Sequence, residues 1–395
     1  GGLEPTVTDA NLALGYYDPK FFLGGRMTLD IDAAKAAIDR VGSRLGLSVS
    51  ETALGIHKVV VESMAAAARV HLVERGKDPR EYSMVGFGGA GPAHAIDVAR
   101  AMGIGSVLIP PASGAASAVG FLAAPLSFDG VRSRRTEMKP GFDADAINTL
   151  LADLTAEGLH HLTRAGIAAE DAVIERSADM RLVGQMHDIA APLPLGHLDE
   201  SSLPAIWGAF VNAYSTRYAE PFAGARFEAV TFRVRVAGPM PKLALTGATG
   251  GGNSADRLKG YRQCWFDEGE FKTPVYDRYA LKAGDEVPGP AIIEERESTT
   301  VIGPNDHVRI DASLNLCVQV GAVVAAAELV SPDMTRAQAV ARIEADPIGL
   351  EIMWSRLVNV VEEMWLTVCR TAFSLVIAEA QDFACELLAK DGETL

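Results

Sequence analysis

Positive charge is the first thing this sequence is short of. Its 395 residues carry 36 Lys and Arg against 51 Asp and Glu, a formal charge of −15. That balance argues against nucleic acid or an anionic membrane surface as the main partner. Cysteine is scarce as well. Cys264, Cys317, Cys369 and Cys385 show no close metal-type pairing and read as reduced thiols of a cytoplasmic protein. No run of about 18 apolar residues occurs, so no membrane span is expected. An initiator methionine and a signal peptide are also missing. The chain opens Gly1-Gly2-Leu3-Glu4-Pro5 and stops at Leu395, directly after what reads as a strand, so we expect a segment of a longer polypeptide.

What is present is enough for two or three domains with sizeable cores. Hydrophobic residues make up 48% of the chain, which excludes disorder by composition. The most informative stretch is Val85–Pro92, Val-Gly-Phe-Gly-Gly-Ala-Gly-Pro. An apolar run over 82–87 leads into it, a helix is expected over 92–102, and a second apolar run covers 106–109. Strand, glycine loop and helix in this order make a backbone cradle, because glycines admit a ligand to the main chain and a helix N-terminus favours negative charge. Gly86, Gly88 and Gly91 fit the dinucleotide spacing. The acidic residue that should follow the next strand is absent, however, and Ile109-Pro110-Pro111 stands there instead. No Gly-Lys-Ser/Thr follows, so the stretch is not a P-loop either. A tight turn with no ligand is the alternative reading.

Around the cradle the chain reads in modules. Residues 1–30 look loop-like, and helices are expected over 32–45 and 48–74, the second opened by a Ser48-x-x-Glu51 capping box. His57 and His71 on that helix share a face but stand roughly 21 Å apart, too far for one metal, and read as packing or surface histidines. Arg132, Arg134 and Arg135 mark a basic boundary. A helix over 143–165, strands at 173–182 and 189–195, a helix at 203–218 and a strand at 230–236 make an α+β module. Glycine-rich residues 245–260 read as a flexible linker or loop, and short strands over 262–320 suggest a small β-domain. Glu294, Glu295, Arg296 and Glu297 read as a solvated edge. An Ala-rich stretch over 323–345 connects to a helix from Asp346-Pro347 to about 370, and 382–388 reads as a strand before a hairpin turn.

These motifs together resemble a known family. Glu-Pro-Thr-Val-Thr-Asp-Ala-Asn-Leu at 4–12, Leu-Gly-Gly-Arg at 23–26, Val-Glu-Arg-Gly at 73–76 and Phe-Gly-Gly-Ala-Gly-Pro at 87–92 look like the hydantoinase A/5-oxoprolinase family. So do Arg-Ser-Ala-Asp-Met-Arg at 176–181 with Gly184-Gln185, and Gly-Pro-Ala-Ile-Ile-Glu at 289–294 with Ser-Thr-Thr-Val at 298–301. The stretch from Asp346-Pro-Ile-Gly-Leu-Glu through Arg-Thr-Ala-Phe at 370–373 to Gln-Asp-Phe-Ala-Cys at 381–385 resembles the start of the partner hydantoinase B component.

The resemblance implies an α/β fold. It comprises the second lobe of an actin/sugar-kinase-like ATPase over 1–135, an α+β module over 136–245, a small β-rich domain over 246–325, a linker over 326–345 and the start of a B-type domain over 346–395. It implies ATP and Mg²⁺ as cofactors, with a second divalent metal a further candidate in the B component, and the metal ligands themselves unknown. The expected reaction is phosphorylation of a carbonyl oxygen before ring opening of a cyclic amide. An ATP-dependent ketone carboxylase and a non-catalytic scaffold segment remain the alternatives. The family's phosphate-gripping Gly-Gly-Thr motifs do not occur here, so the segment is expected to be inactive alone. Gly88, Gly89, Ala90 and Gly91 match the adenosine-facing position. Asp9 matches a cleft aspartate or caps a turn. Asp382 matches an aspartate near metal and substrate in the B component, or ends a strand. The expected partners are a small cyclic amide or ketone and the remaining parts of an A–B assembly, in an oligomer without nucleic acid or membrane.

Overall fold

The fold was analysed in a computed structural model, which describes residues 2–73, 77–218, 220–222, 224–242, 257–321, 335–372, 377, 383–389 and 392. In chain order the helices are α1 Val7–Ala13, α2 Ile31–Leu45, α3 Val49–Val73, α4 Gly91–Met102, α5 Ala116–Ala123, α6 Ala144–Arg164, α7 Leu203–Ser215, α8 Arg336–Glu344 and α9 Pro347–Thr371. The strands are β1 Met84–Val85, β2 Ser106–Ile109, β3 Ser127–Glu137, β4 Val173–Leu182, β5 Ile189–Pro192 and β6 Phe227–Ala237. They continue with β7 Leu258–Phe266, β8 Gly269–Asp277, β9 Glu286–Pro288, β10 Ala291–Glu294, β11 Thr299–Ile302, β12 His307–Ile310 and β13 Leu316–Gln319.

Two compact units result. The first gathers described residues from 1–73, 77–121 and 244–356. It holds a five-stranded sheet, β1-β2-β13-β12-β9, and a four-stranded sheet, β11-β10-β8-β7. β1 and β2 run parallel, as the strand–helix–strand order requires, and β13 joins β2 antiparallel through pairs such as Val107 with Val318. The strands expected as a separate small β-domain are therefore divided between these two sheets, and three of them complete the sheet that flanks the cradle. Ile96, Val98 and Met102 of α4 bury against Val107, Ile109, Val308 and Val318. Such a face excludes water over a large apolar area, the main favourable term in folding.

The second unit takes described residues from 122–243 and 357–395. Its sheet, β3-β6-β4-β5, is antiparallel. Strict alternation puts Ala178, Met180 and Leu182 of β4 and Phe232, Val234 and Val236 of β6 in one core with Leu151 and Leu154 of α6 and Phe210 of α7. The opposite face is polar: Arg233 holds Asp179 at 2.7 Å beside a concavity of about 580 Å³.

Three expectations need correction. Residues 7–13 are helical, because Thr6 and Asp9 close a capping box that starts α1 in a stretch read as loop. Glu294 and Glu295 are buried, not a solvated edge: Lys259 and Arg262 neutralise the first, and Arg278 faces the second at 3.3 Å. Within the described part of 382–388 the backbone forms no strand beyond a bridge at Leu388.

Candidate nucleotide cradle

The cradle begins where β1 ends. The Gly86 amide donates to the Leu108 carbonyl at 2.9 Å, which ties the loop to β2. A Cβ at Gly86 would stand 2.7 Å from that of Ala95, so only glycine lets the loop pass this close to α4. Gly88 then takes φ +97°, a conformation side chains resist, and donates to the Ser113 carbonyl at 2.8 Å. Gly89 and Ala90 are exposed, and a Cβ built on Gly91 meets nothing within 4 Å. Ala90 is the N-cap of α4 and offers no capping side chain, no acidic residue occupies the first turn, and Pro92 lies within it. Pro92 has no N–H and the Ala93 amide donates to the Ala90 carbonyl at 3.2 Å, so this helix start offers a ligand the Gly91 amide and its positive dipole end. Phe87, half exposed, adds an apolar surface beside it.

Two further segments flank the loop. Ser113, fully buried, shares Glu295 Oε2 with Ser298, at 3.1 and 3.0 Å, and the two hydroxyls meet at 2.8 Å. Burial pulls the Arg278 guanidinium below its ordinary value, with Glu295 opposing.

Beneath the cradle lies a buried polar network that links α4 to remote parts of the chain. Asn11 Nδ2 donates to His94 Nε2 at 3.1 Å, and Asn11 Oδ1 meets His57 Nδ1 at 2.9 Å. His57 Nε2 reaches Asp97 at 3.0 Å, and its ring stacks on His94 with centroids 4.7 Å apart. Arg100 bonds Asp97 and reaches both carboxylate oxygens of Asp306 at 2.7 Å. Asp306 in turn accepts from the amides of Gly303 and Gly321, at 2.9 and 2.8 Å. Burial is the largest influence on Asp97 and pushes its carboxyl up, but His57 and Arg100 together outweigh it and hold the group below its usual value. For Arg100, burial is overcome by Asp97 and Asp306, which raise it. Burial, with the His57 charge adding to it, pushes His94 from 6.5 down to about 4. The ring is therefore neutral near pH 7. Because Nε2 accepts from Asn11, its proton sits on Nδ1, which has no partner among the described residues.

Gly88, Gly89, Ala90 and Gly91 thus come together in one loop. Asp9 lies on α1, where its carboxylate accepts from the Thr6 amide at 2.8 Å and the Thr6 hydroxyl at 2.7 Å. From the same motif it is Asn11 that reaches α4. His57, read as a packing or surface histidine, is buried and hydrogen-bonded. Asp382 and the turn at 390–391 lie outside the described residues. His94, Asp97, Arg100 and Asp306 were not foreseen. The i, i+3 spacing of Asp97 and Arg100 was the available signal, although it does not reveal Asp306, 206 positions away. Among the described residues no group of three or more His, Cys, Asp or Glu could hold a metal, and no helix is long and apolar enough to cross a membrane.

Known proteins resemble this chain along most of its length. The family model described as Hydantoinase/oxoprolinase matches residues 1–129, its C-terminal domain 136–316, and Hydantoinase B/oxoprolinase 346–395. The caprolactamase alpha subunit of Pseudomonas jessenii is 32% identical over 79% of this chain and 46% of its own length. The crystal structure of that ATP-dependent caprolactamase superposes with TM-score 0.67 at 30% identity, covering 81% of this chain and 47% of the other. The acetophenone carboxylase gamma subunit of Aromatoleum aromaticum is 30% identical over 79% of this chain and 44% of its own. The 5-oxoprolinase of Dictyostelium discoideum is 26% identical over 98% of this chain but only 30% of its own. The chain therefore spans less than half the length of these relatives.

The His94 geometry generates a pH prediction. In the unfolded chain His94 takes up its proton near 6.5, whereas in the folded chain it does so near 4. His94 therefore costs no stability above pH 6.5 and progressively more as pH falls to 4, on the order of 3 kcal/mol in all. Urea titrations at pH 7 and 4.5 should show His94→Phe losing less stability on acidification than the wild type. Equal losses would contradict the assignment.

Proposed function

This chain belongs to the hydantoinase/oxoprolinase family, and from that premise we propose that it forms part of an ATP-dependent hydrolase of cyclic amides. The single observation that carries the choice is how far the relatives extend. The match to 5-oxoprolinase runs through 98% of the chain, across the A-type and into the B-type segment, while the caprolactamase and carboxylase subunits each match 79%. The caprolactamase likeness points to the same bond, a ring amide. In this reading residues 1–135 supply the second lobe of an actin/sugar-kinase-like ATPase, and residues from 346 onward begin the hydrolytic companion.

The chain's own residues take defined parts. Gly88, Gly89, Ala90 and Gly91 let adenosine approach the main chain, and the uncapped start of α4 supplies the Gly91 amide and positive dipole to an anionic ligand. The open space at Gly91 and the exposed Gly89 fit such a group. Bound ATP supplies the phosphoryl group that turns a carbonyl oxygen into a leaving group, with Mg²⁺ offsetting its charge. Among the described residues no cluster of His, Cys, Asp or Glu fits a metal. The network of Asn11, His57, Asp97, Arg100 and Asp306 holds α4 and positions the loop. Asp382 is kept as a candidate near the substrate, and Asp9 as a capping residue at the edge of the same unit. Partners are a small lactam or hydantoin and the remaining A- and B-type parts, in a cytoplasmic oligomer.

In the complete assembly, Gly89→Val should weaken ATP binding at least about tenfold, by placing a branched side chain where the nucleotide meets the backbone. Calorimetry reads this directly, and unchanged affinity would remove the loop from the site. The second reading, a ketone carboxylase, rests on the 30% identity to the acetophenone carboxylase subunit. The hydrolase reading expects turnover of a cyclic amide without bicarbonate. Turnover that occurs only with a ketone and bicarbonate would replace it.

A further inference from the structure

The longest described helix near the cradle, α3, is buried on two opposite faces. His57 looks into the network under α4. Gly55 and Glu62, seven residues apart and so within about 20° of one another around the helix, mark the other face. Both are buried. That second face meets the first turns of α9. A Cβ built on Gly55 would stand 2.5 Å from Ile348 Cδ1, so the missing side chain is the notch that receives the isoleucine. Further along, both oxygens of the Glu62 carboxylate accept from Arg356, from Nε and Nη2, each at 2.7 Å.

The spacing makes this more than two chance contacts. Gly55 to Glu62 is seven residues and Ile348 to Arg356 is eight, rises of roughly 10 and 12 Å along their helices. Two helices that run parallel satisfy both contacts at once, and a one-turn slip would break both. The bidentate fork adds geometric specificity that a lysine would not. Asp346, accepting from the Gly349 amide at 2.9 Å, caps α9 and sets where this register starts.

The two sides of the clasp belong to different modules: α3 lies within the A-type match at 1–129, and Ile348 and Arg356 within the B-type match at 346–395. We infer that the Gly55–Glu62 face of α3 is the seat on which the A-type module receives the B-type module. The partner it fits is a parallel helix carrying an aliphatic residue and, eight positions later, an arginine. The inference is independent of what the glycine loop binds.

Hydrogen–deuterium exchange of the 347–356 amides in the full chain tests it, with the β7–β8 hairpin as an internal control. Arg356→Glu should speed exchange in this segment about tenfold or more, since the buried Glu62 carboxylate is then left opposed by a like charge. Gly55→Leu should do the same by filling the notch. Combining Glu62→Arg with Arg356→Glu should return exchange to within about threefold of the wild type, which a residue that merely aids folding would not do. If the reversal at buried Glu62 loosens the hairpin too, Arg356→Ala decides, because the Arg356 side chain is 55% exposed and its loss disturbs little else. Exchange over 347–356 that ignores Arg356→Glu, Gly55→Leu and Arg356→Ala would overturn the proposal.

Discussion

The constraint on which the first unit depends is the burial of Asp306. Its carboxylate is sealed from water and must be neutralised where it stands. Arg100 of α4 does so with two bonds, while the amides of Gly303 and Gly321 take up the remaining lone pairs. Removing one partner of a buried, hydrogen-bonded pair costs about 3–5 kcal/mol, since the other charge is left uncompensated. That penalty makes α4 difficult to shift. Through Asp97 and His57 the same helix is tied to α3, and through His94 and Asn11 to α1. A glycine loop has little stiffness of its own. Here its stiffness is borrowed from the helix it opens.

This explains why the cradle can be both open and ordered. Gly88 and Gly86 satisfy their amides on Ser113 and Leu108, so the loop is pinned from the side away from α4. Gly89, Ala90 and Gly91 are left without side chains that would block the main chain. The helix start carries no cap of its own. A protein that needed only a turn at this point would gain by capping it, because an N-cap side chain contributes about 1 kcal/mol. Leaving that contribution unclaimed fits a position whose cap is a ligand.

Much of both units was legible along the chain. The Ser48–Glu51 capping box, the Gly-rich turn before Pro92 and the alternation over 173–182 are local signals, and each element lies where its signal stands. What escaped was non-local. The helix at 7–13 hid in a polar stretch whose capping box is closed by an aspartate rather than a glutamate. Glu294 and Glu295 looked solvated because their counter-charges, Lys259, Arg262 and Arg278, lie 17 to 35 positions away. Asp306 and Arg356 are ordinary charged residues in the sequence. Only the fold sets them against Arg100 and Glu62, whose partners are 206 and 294 positions distant. Local chemistry announces caps, turns and strands, whereas a buried charge pair is announced by nothing until both halves are in place.

The central claim is that the backbone between Phe87 and Pro92 faces the adenosine of a bound nucleotide. Photolabelling of the complete assembly with an azido-adenosine triphosphate, followed by peptide mapping, tests it most directly. The account predicts that the adduct falls on the peptide containing Phe87–Pro92 and that excess ATP prevents it. An ATP-protected adduct confined to other segments, with this peptide unmodified, would contradict it.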